Sequence, residues 1–276
     1  MKSKTNILLA GVILATLVYF TFNKPLKTTP PLAPKLAMNF VKCTSAKYLL
    51  EVVDTTKQIS PLFNNLGNLH FSISTKNERA QAFFDQGLKL SYAFNHAEAH
   101  RSFMEASRLD PNSAMTYWGQ AFALGPNIND PIPVEERKIK INEAIAKAKQ
   151  LASKTSLKEQ VLIEALSARY SEDLTADIPE LNMNYMHAMT KAAKQFPTDA
   201  NIQILYAASV MNTVPWNYWD KDGNPSPNIN DAKTALEKAM MLEPENPGGH
   251  HYYIHMVELP YPYMGVKSAD KLASLM

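Results

Sequence analysis

The residues best suited to chemistry are histidines in a short stretch near the C-terminal end of the chain. His251 and His255 are four positions apart, and Glu258 follows three positions later. On a helix this spacing places the two imidazoles and the carboxylate on one face. Two imidazoles and a carboxylate are ligands that a divalent transition metal accepts, so the sequence predicts a metal site at these three residues.

The same stretch also has an interpretation without a metal. In the metalloprotease pattern a glutamate follows the first histidine and activates water, whereas Tyr252 occupies that position here. His251, His255 and the neighbouring tyrosines could instead form a packing and hydrogen-bonding surface for further repeats. The sequence therefore leaves two possibilities open, either no cofactor and no catalysis or a divalent metal that supports binding or hydrolysis.

A second histidine pair, His96 and His100, has the same spacing. Ala97 and Ala99 between them already fit the close packing of two helices. We therefore interpret His96 and His100 as surface or inter-helix polar residues rather than as metal ligands.

Composition excludes several classes of function. The chain has 276 residues, of which 46% are hydrophobic, and 28 Lys and Arg balance 26 Asp and Glu to give a net charge of +2. Phosphate binding needs clustered basic residues, so no nucleic-acid partner is expected. The single cysteine, Cys43, excludes an intramolecular disulfide and a thiolate zinc site.

The N-terminal segment is typical of a targeting sequence. Lys2 and Lys4 precede an apolar run over 7–22, which as a helix would cover about 24 Å and so fall short of a bilayer core of roughly 30 Å. A signal peptide and an uncleaved membrane anchor both remain open. Either places the rest of the protein outside the cytoplasm, in the periplasm or cell envelope. We divide the chain into this segment (1–24), a poorly patterned spacer (25–65) and a helical domain (66–276).

Internal repetition predicts an all-α fold for that domain. Helical periodicity begins near residue 77 and recurs with a period of about 34 residues. In the best unit, over 80–112, Gly87 and Ala99 allow two antiparallel helices to approach closely, and Phe103 fills the space beside them. A second unit is expected to begin at Ala114. Later helices are predicted over Val134–Leu151, Ser156–Tyr170 and Ile178–Gln195.

A five-residue segment occurs twice in the links between predicted helices. Pro126–Asp130 and Pro227–Asp231 have the same sequence. We expect the aspartate of each copy, Asp130 or Asp231, to cap the helix that follows.

The repeat units resemble the tetratricopeptide repeat. Longer segments, over 66–71, 114–119 and 247–255, are similar to a family of exported bacterial tetratricopeptide-repeat proteins that are longer than this chain and have no assigned activity. The resemblance implies a right-handed solenoid of antiparallel helix pairs over 66–276. It also implies that the chain is an N-terminal fragment of a longer member, because its last helix lacks the closing proline of earlier units.

The resemblance further implies a concave groove lined by the first helix of each pair. Counting from the closing prolines gives the groove positions Phe84, Leu88, Trp118, Phe122, Ile204, Ala208, His251 and His255. The expected function is that of a non-catalytic interaction scaffold, tethered to a membrane by its N-terminal segment, that binds a partner protein or peptide in this groove. Alternatively, Trp118 and Phe122 pack against inserted helices.

Overall fold

A computed structural model of the protein describes residues 54–275. This part of the chain contains no β-strand, and its two isolated β-bridges lie in loops. The prediction of an all-α fold is confirmed for these residues. The ten α-helices of residues 54–275 are α1 (Glu78–Tyr92), α2 (His96–Leu109), α3 (Ala114–Leu124), α4 (Glu135–Leu151), α5 (Leu157–Ser167), α6 (Ile178–Gln195), α7 (Ala200–Met211), α8 (Ile229–Leu242), α9 (Pro247–Val257) and α10 (Pro262–Ala273).

Polar residues set where several helices begin. The Asn77 side chain accepts hydrogen bonds from two backbone N–H groups at the start of α1. Ser156 and Glu159 form a reciprocal capping box at the start of α5, and the Asp177 side chain caps α6. These caps satisfy N–H groups that have no partner within the helix. The predicted bounds of α6 are confirmed, whereas α5 ends at Ser167, before the predicted Tyr170.

The repeated aspartates do not cap the helices that follow them. The carboxylate of Asp130 accepts a hydrogen bond from Nη1 of Arg137, and α4 begins after Val134 without a side-chain cap. Asp231 lies inside the first turn of α8, after the left-handed residue Asn228. The capping prediction is therefore wrong in both copies. The Asp130 side chain pairs with the buried Arg137, and Asp231 lies within α8 and not before it.

Each helix packs against the next one along the chain, from α1 to α10. Phe103 of α2 lies between Gly87 of α1 and Gly119 of α3. A Cβ atom would stand 2.7 Å from the Phe103 ring at Gly87 and 2.3 Å from it at Gly119, far inside van der Waals contact. The predicted role of Gly87 in close helix packing is confirmed.

Helices that are distant in sequence meet where α9 packs on α1, and α9 also packs on α7. The hydroxyl of Tyr92, at the end of α1, donates to Oδ1 of Asn201 in α7 at 3.0 Å. The Tyr92 ring also meets Tyr252 of α9 edge-on, with ring centroids 6.3 Å apart. Packing between neighbouring repeats alone does not produce such a contact. The contact between α9 and α1 brings the histidines of α9 to the C-terminal end of α1.

The predicted targeting segment, with its signal or anchor, and most of the predicted spacer lie outside the described residues. Within residues 54–275 no helix combines the length and the apolar character needed to cross a membrane.

Candidate functional site: a histidine pair between α1 and α9

The structure brings His251 and His255 together on one face of α9, as the sequence predicts. Their Nε2 atoms are 3.0 Å apart. The other ring nitrogen of each histidine faces a hydrogen-bond acceptor. Nδ1 of His251 lies 2.5 Å from the backbone oxygen of Tyr92, and Nδ1 of His255 lies 3.0 Å from Oε1 of Glu258.

The number of protons on an imidazole decides what this arrangement can do. A backbone carbonyl only accepts hydrogen bonds, so Nδ1 of His251 carries the proton. The contact between His255 and the Glu258 carboxylate likewise calls for a proton on Nδ1 of His255. If both rings are neutral, both Nε2 atoms are bare, and two lone pairs then face each other at 3.0 Å. A shared proton or a bound cation between the rings removes that repulsion.

Burial favours the neutral form of one ring. Removal from water lowers the pKa of His251 to about 4, although its hydrogen bond to the Tyr92 carbonyl acts in the opposite direction. The imidazole is therefore uncharged near neutral pH, which is the form that coordinates metals.

Aromatic side chains enclose the pair. The ring of Phe94 stacks on His255 with centroids 5.3 Å apart and lies 4.5 Å from the ring of His251. Trp216 meets His255 edge-on at 5.4 Å. Phe94 and Trp216 both have left-handed backbones, with φ of 59° and 64°. Bulky residues adopt this conformation at a cost and usually where the surroundings impose it, so two strained positions hold aromatic rings against one histidine.

Glu258 occupies a different place from the one that the sequence predicts for a third ligand. Its carboxylate binds Nδ1 of His255, on the far side of the ring from the two Nε2 atoms. Among residues 54–275, no three His, Cys, Asp or Glu side chains lie close enough together to hold one metal ion. The pair thus offers two nitrogen ligands, and Glu258 is placed to orient one of them.

The other predicted groove positions lie in the interior. Phe84, Leu88, Trp118, Phe122, Ile204 and Ala208 are all buried. The Trp118 indole N–H donates to the backbone oxygen of Leu162 in α5 at 3.1 Å, and its ring stacks on Phe122 at 5.1 Å. Trp118 therefore packs on α5 and Phe122 packs on Trp118, which agrees with the alternative interpretation that these two aromatics pack against other helices. Binding of a partner at these positions stays a prediction.

Several residues of the site have no signal in the sequence. Tyr92 and Phe94 come from the end of α1, and Trp216 comes from the loop after α7. Of the two interpretations of His96, a surface residue or an inter-helix residue, its burial fits the second, and its ring stacks on Phe94 with centroids 6.0 Å apart. Periodicity does not identify these residues, because their positions depend on the contact between α1 and α9.

The site and the fold together define an all-α protein with a histidine pair enclosed where α9 meets the end of α1. Comparison of the sequence with protein-family models, with curated proteins and with solved structures finds no match in any of the three.

Proposed function

We propose that this protein binds a divalent transition metal ion between Nε2 of His251 and Nε2 of His255. The observation that carries the proposal is the convergence of these two atoms to 3.0 Å while each Nδ1 faces an acceptor. In metal sites built from histidine, the second ring nitrogen commonly donates to a carbonyl or a carboxylate, which fixes the tautomer and the orientation of the ring.

The distance between the rings is close to that of a tetrahedral zinc site. Each Zn–N bond is about 2.0 Å long, so two imidazole ligands at a tetrahedral angle have nitrogens about 3.3 Å apart. The observed 3.0 Å requires only a small separation of the rings. Imidazole suits zinc, copper and nickel, and water or a small ligand completes the coordination. Glu258 then supports His255 instead of binding the metal.

The test is a titration of the full-length chain, purified without a histidine tag, with Zn²⁺. We expect about one equivalent to bind, and we expect His251→Gln and His255→Gln each to weaken binding at least tenfold, since each removes one of two protein ligands. His187→Gln is the matched control, because His187 is exposed on α6. Equal affinity in all four proteins, or no binding to any, would contradict the proposal.

We also propose that the helices form a tetratricopeptide-like, right-handed solenoid, and that the chain belongs to the exported bacterial family named above. The packing of each helix on its neighbour and the glycines around Phe103 support the repeat. The apolar run over 7–22 supports export and attachment to a membrane facing the periplasm or cell envelope.

A second candidate function is a non-catalytic scaffold for a partner protein. Leu259, Tyr263 and Val266, on α10 and just before it, are large apolar residues that are exposed to solvent. Exposed apolar surface of this kind often marks a contact site. Crosslinking in the cell envelope tests it. A double variant, Tyr263→Ser with Val266→Ser, should lose a crosslinked partner that Ile139→Ser, an exposed change on α4, retains. Retention by both variants would exclude this surface.

A further inference from the structure

A second group of buried polar side chains lies outside the histidine pair. Arg137 of α4, Arg169 just after α5 and His96 of α2 are 1%, 2% and 3% exposed. Nε and Nη2 of Arg137, Nη2 of Arg169 and both ring nitrogens of His96 are buried and have no hydrogen-bond partner among residues 54–275. Buried guanidinium N–H groups without acceptors are unusual in folded proteins and call for a physical reason.

The charges in this region do not balance. Nη1 of Arg137 pairs with the Asp130 carboxylate. The guanidinium of Arg169 donates from Nε to the neutral side chain of Asn182 at 2.9 Å, and no carboxylate of the described residues forms an ion pair with it. Two cations and one anion leave a surplus charge of +1. A buried charge without a counter-ion is strongly unfavourable, so the site is suited to an added anion.

The unpartnered groups share one region of the interior. Burial lowers the pKa of His96 to about 4, and the charges of Arg137 and Arg169 both lower it further. The Arg169 guanidinium lies 5.0 Å from the centre of the Tyr185 ring, and the Tyr185 hydroxyl is also buried without a partner. The segments that carry the two arginines lie side by side, because Nδ2 of Asn142, on α4 with Arg137, donates to the backbone oxygen of Ser171, two residues after Arg169, at 2.7 Å.

We propose that Arg137 and Arg169 bind the carboxylate group of a small-molecule ligand, with His96 and Tyr185 beside it. Three guanidinium nitrogens without partners, Nε and Nη2 of Arg137 and Nη2 of Arg169, provide N–H donors for the two carboxylate oxygens, and the planar fork of arginine matches that group. One negative charge cancels the surplus of +1, whereas a phosphate dianion would reverse it.

A solvent-connected cleft provides a route to this site. Its lining includes Ile141 of α4, Arg169 and Tyr170. The Tyr170 hydroxyl donates to the backbone oxygen of Ala121 in α3 at 2.8 Å, so this side of the cleft is fixed. The cleft thus reaches Arg169, and Lys138 and Asp173 also line it.

The test is thermal unfolding of the full-length chain in a panel of anions at equal ionic strength. The panel contains chloride, acetate, benzoate, succinate and phosphate. We expect at least one carboxylate to raise Tm by roughly 5–10 °C at a hundredfold excess over its Kd, and chloride to have no such effect. Arg169→Gln should abolish this rise, and the exposed change Arg79→Gln should retain it.

The alternatives give different results. If ordered water alone satisfies the buried arginines, no carboxylate changes Tm relative to chloride, and the proposal is overturned without any variant. If phosphate alone stabilises the protein, the assignment to a carboxylate is overturned. If Arg169 has a purely structural role, Arg169→Gln lowers Tm equally in every anion while the wild-type protein shows no preference. The metal titration is unaffected by these outcomes, because the arginines are not its ligands.

Discussion

At the scale of single residues, the protein places histidines where their protons decide their role. A neutral imidazole carries one N–H, so His255 cannot donate to both Glu258 and His251 unless it gains a second proton. A metal ion between the rings removes that need, because both Nε2 atoms then act as ligands. The proposed function depends on this property of the imidazole.

The buried, neutral His96 predicts how stability depends on pH. Its pKa is about 4 in the folded protein, against 6.5 for a histidine side chain exposed to water. Between these values the unfolded chain binds a proton that the folded chain does not, so the free energy of unfolding falls as the pH falls from 6.5 to 4. The loss from His96 alone is about 3 kcal/mol.

The His96→Asn variant should show a shallower decline over the same range in urea unfolding. Some decline remains, because burial also lowers the pKa of His100 and of His251 to about 4. His187→Asn serves as the control and should decline as steeply as the wild-type protein. An unchanged slope in His96→Asn would show that His96 is already charged in the folded state.

At the scale of helices, the packing of α1, α2 and α3 depends on two glycines that accept one aromatic ring. The Phe103 ring fills the space beside Gly87 and Gly119, and its buried position leaves no room for an added methyl group. Close-packed interiors resist added volume because neighbouring side chains must leave their preferred rotamers.

Gly119→Ala should therefore destabilise the protein by about 1–2 kcal/mol, since the overpacking exceeds the gain of about 1 kcal/mol in helix propensity. The measurement is the free energy of unfolding in urea. Gly265→Ala is the control, because its nearest neighbour, Cγ2 of Val257, would stand 3.4 Å from the new Cβ. That change should be neutral or stabilising. A Gly119→Ala protein as stable as the control would show that Phe103 can move aside.

At the scale of the whole molecule, the contact between α9 and α1 decides which parts of the sequence become a site. Without it, His251 has no Tyr92 carbonyl to bind, and Phe94 does not reach either histidine. Phe84, a predicted groove position on α1, is buried for a different reason, because its ring packs against those of Phe71 and Phe103, with centroids 5.8 and 5.4 Å away.

The sequence predicts what is local and misses what the distant contacts create. The bounds of α6, the packing role of Gly87 and the shared face of His251 and His255 follow from periodicity and spacing over a few turns. Which nitrogen of His255 faces Glu258 depends on the orientation of the ring. The burial of His96 depends on residues from other helices. Propensity and pattern carry no information about such contacts.

A crystal structure of the protein soaked with Zn²⁺, with anomalous scattering recorded at the zinc edge, is the sharpest test of the proposed metal site. We expect one strong peak about 2.0 Å from Nε2 of both His251 and His255, with Glu258 still bound to Nδ1 of His255. The contrary result is a structure in which the two Nε2 atoms remain about 3.0 Å apart, with no anomalous peak between them.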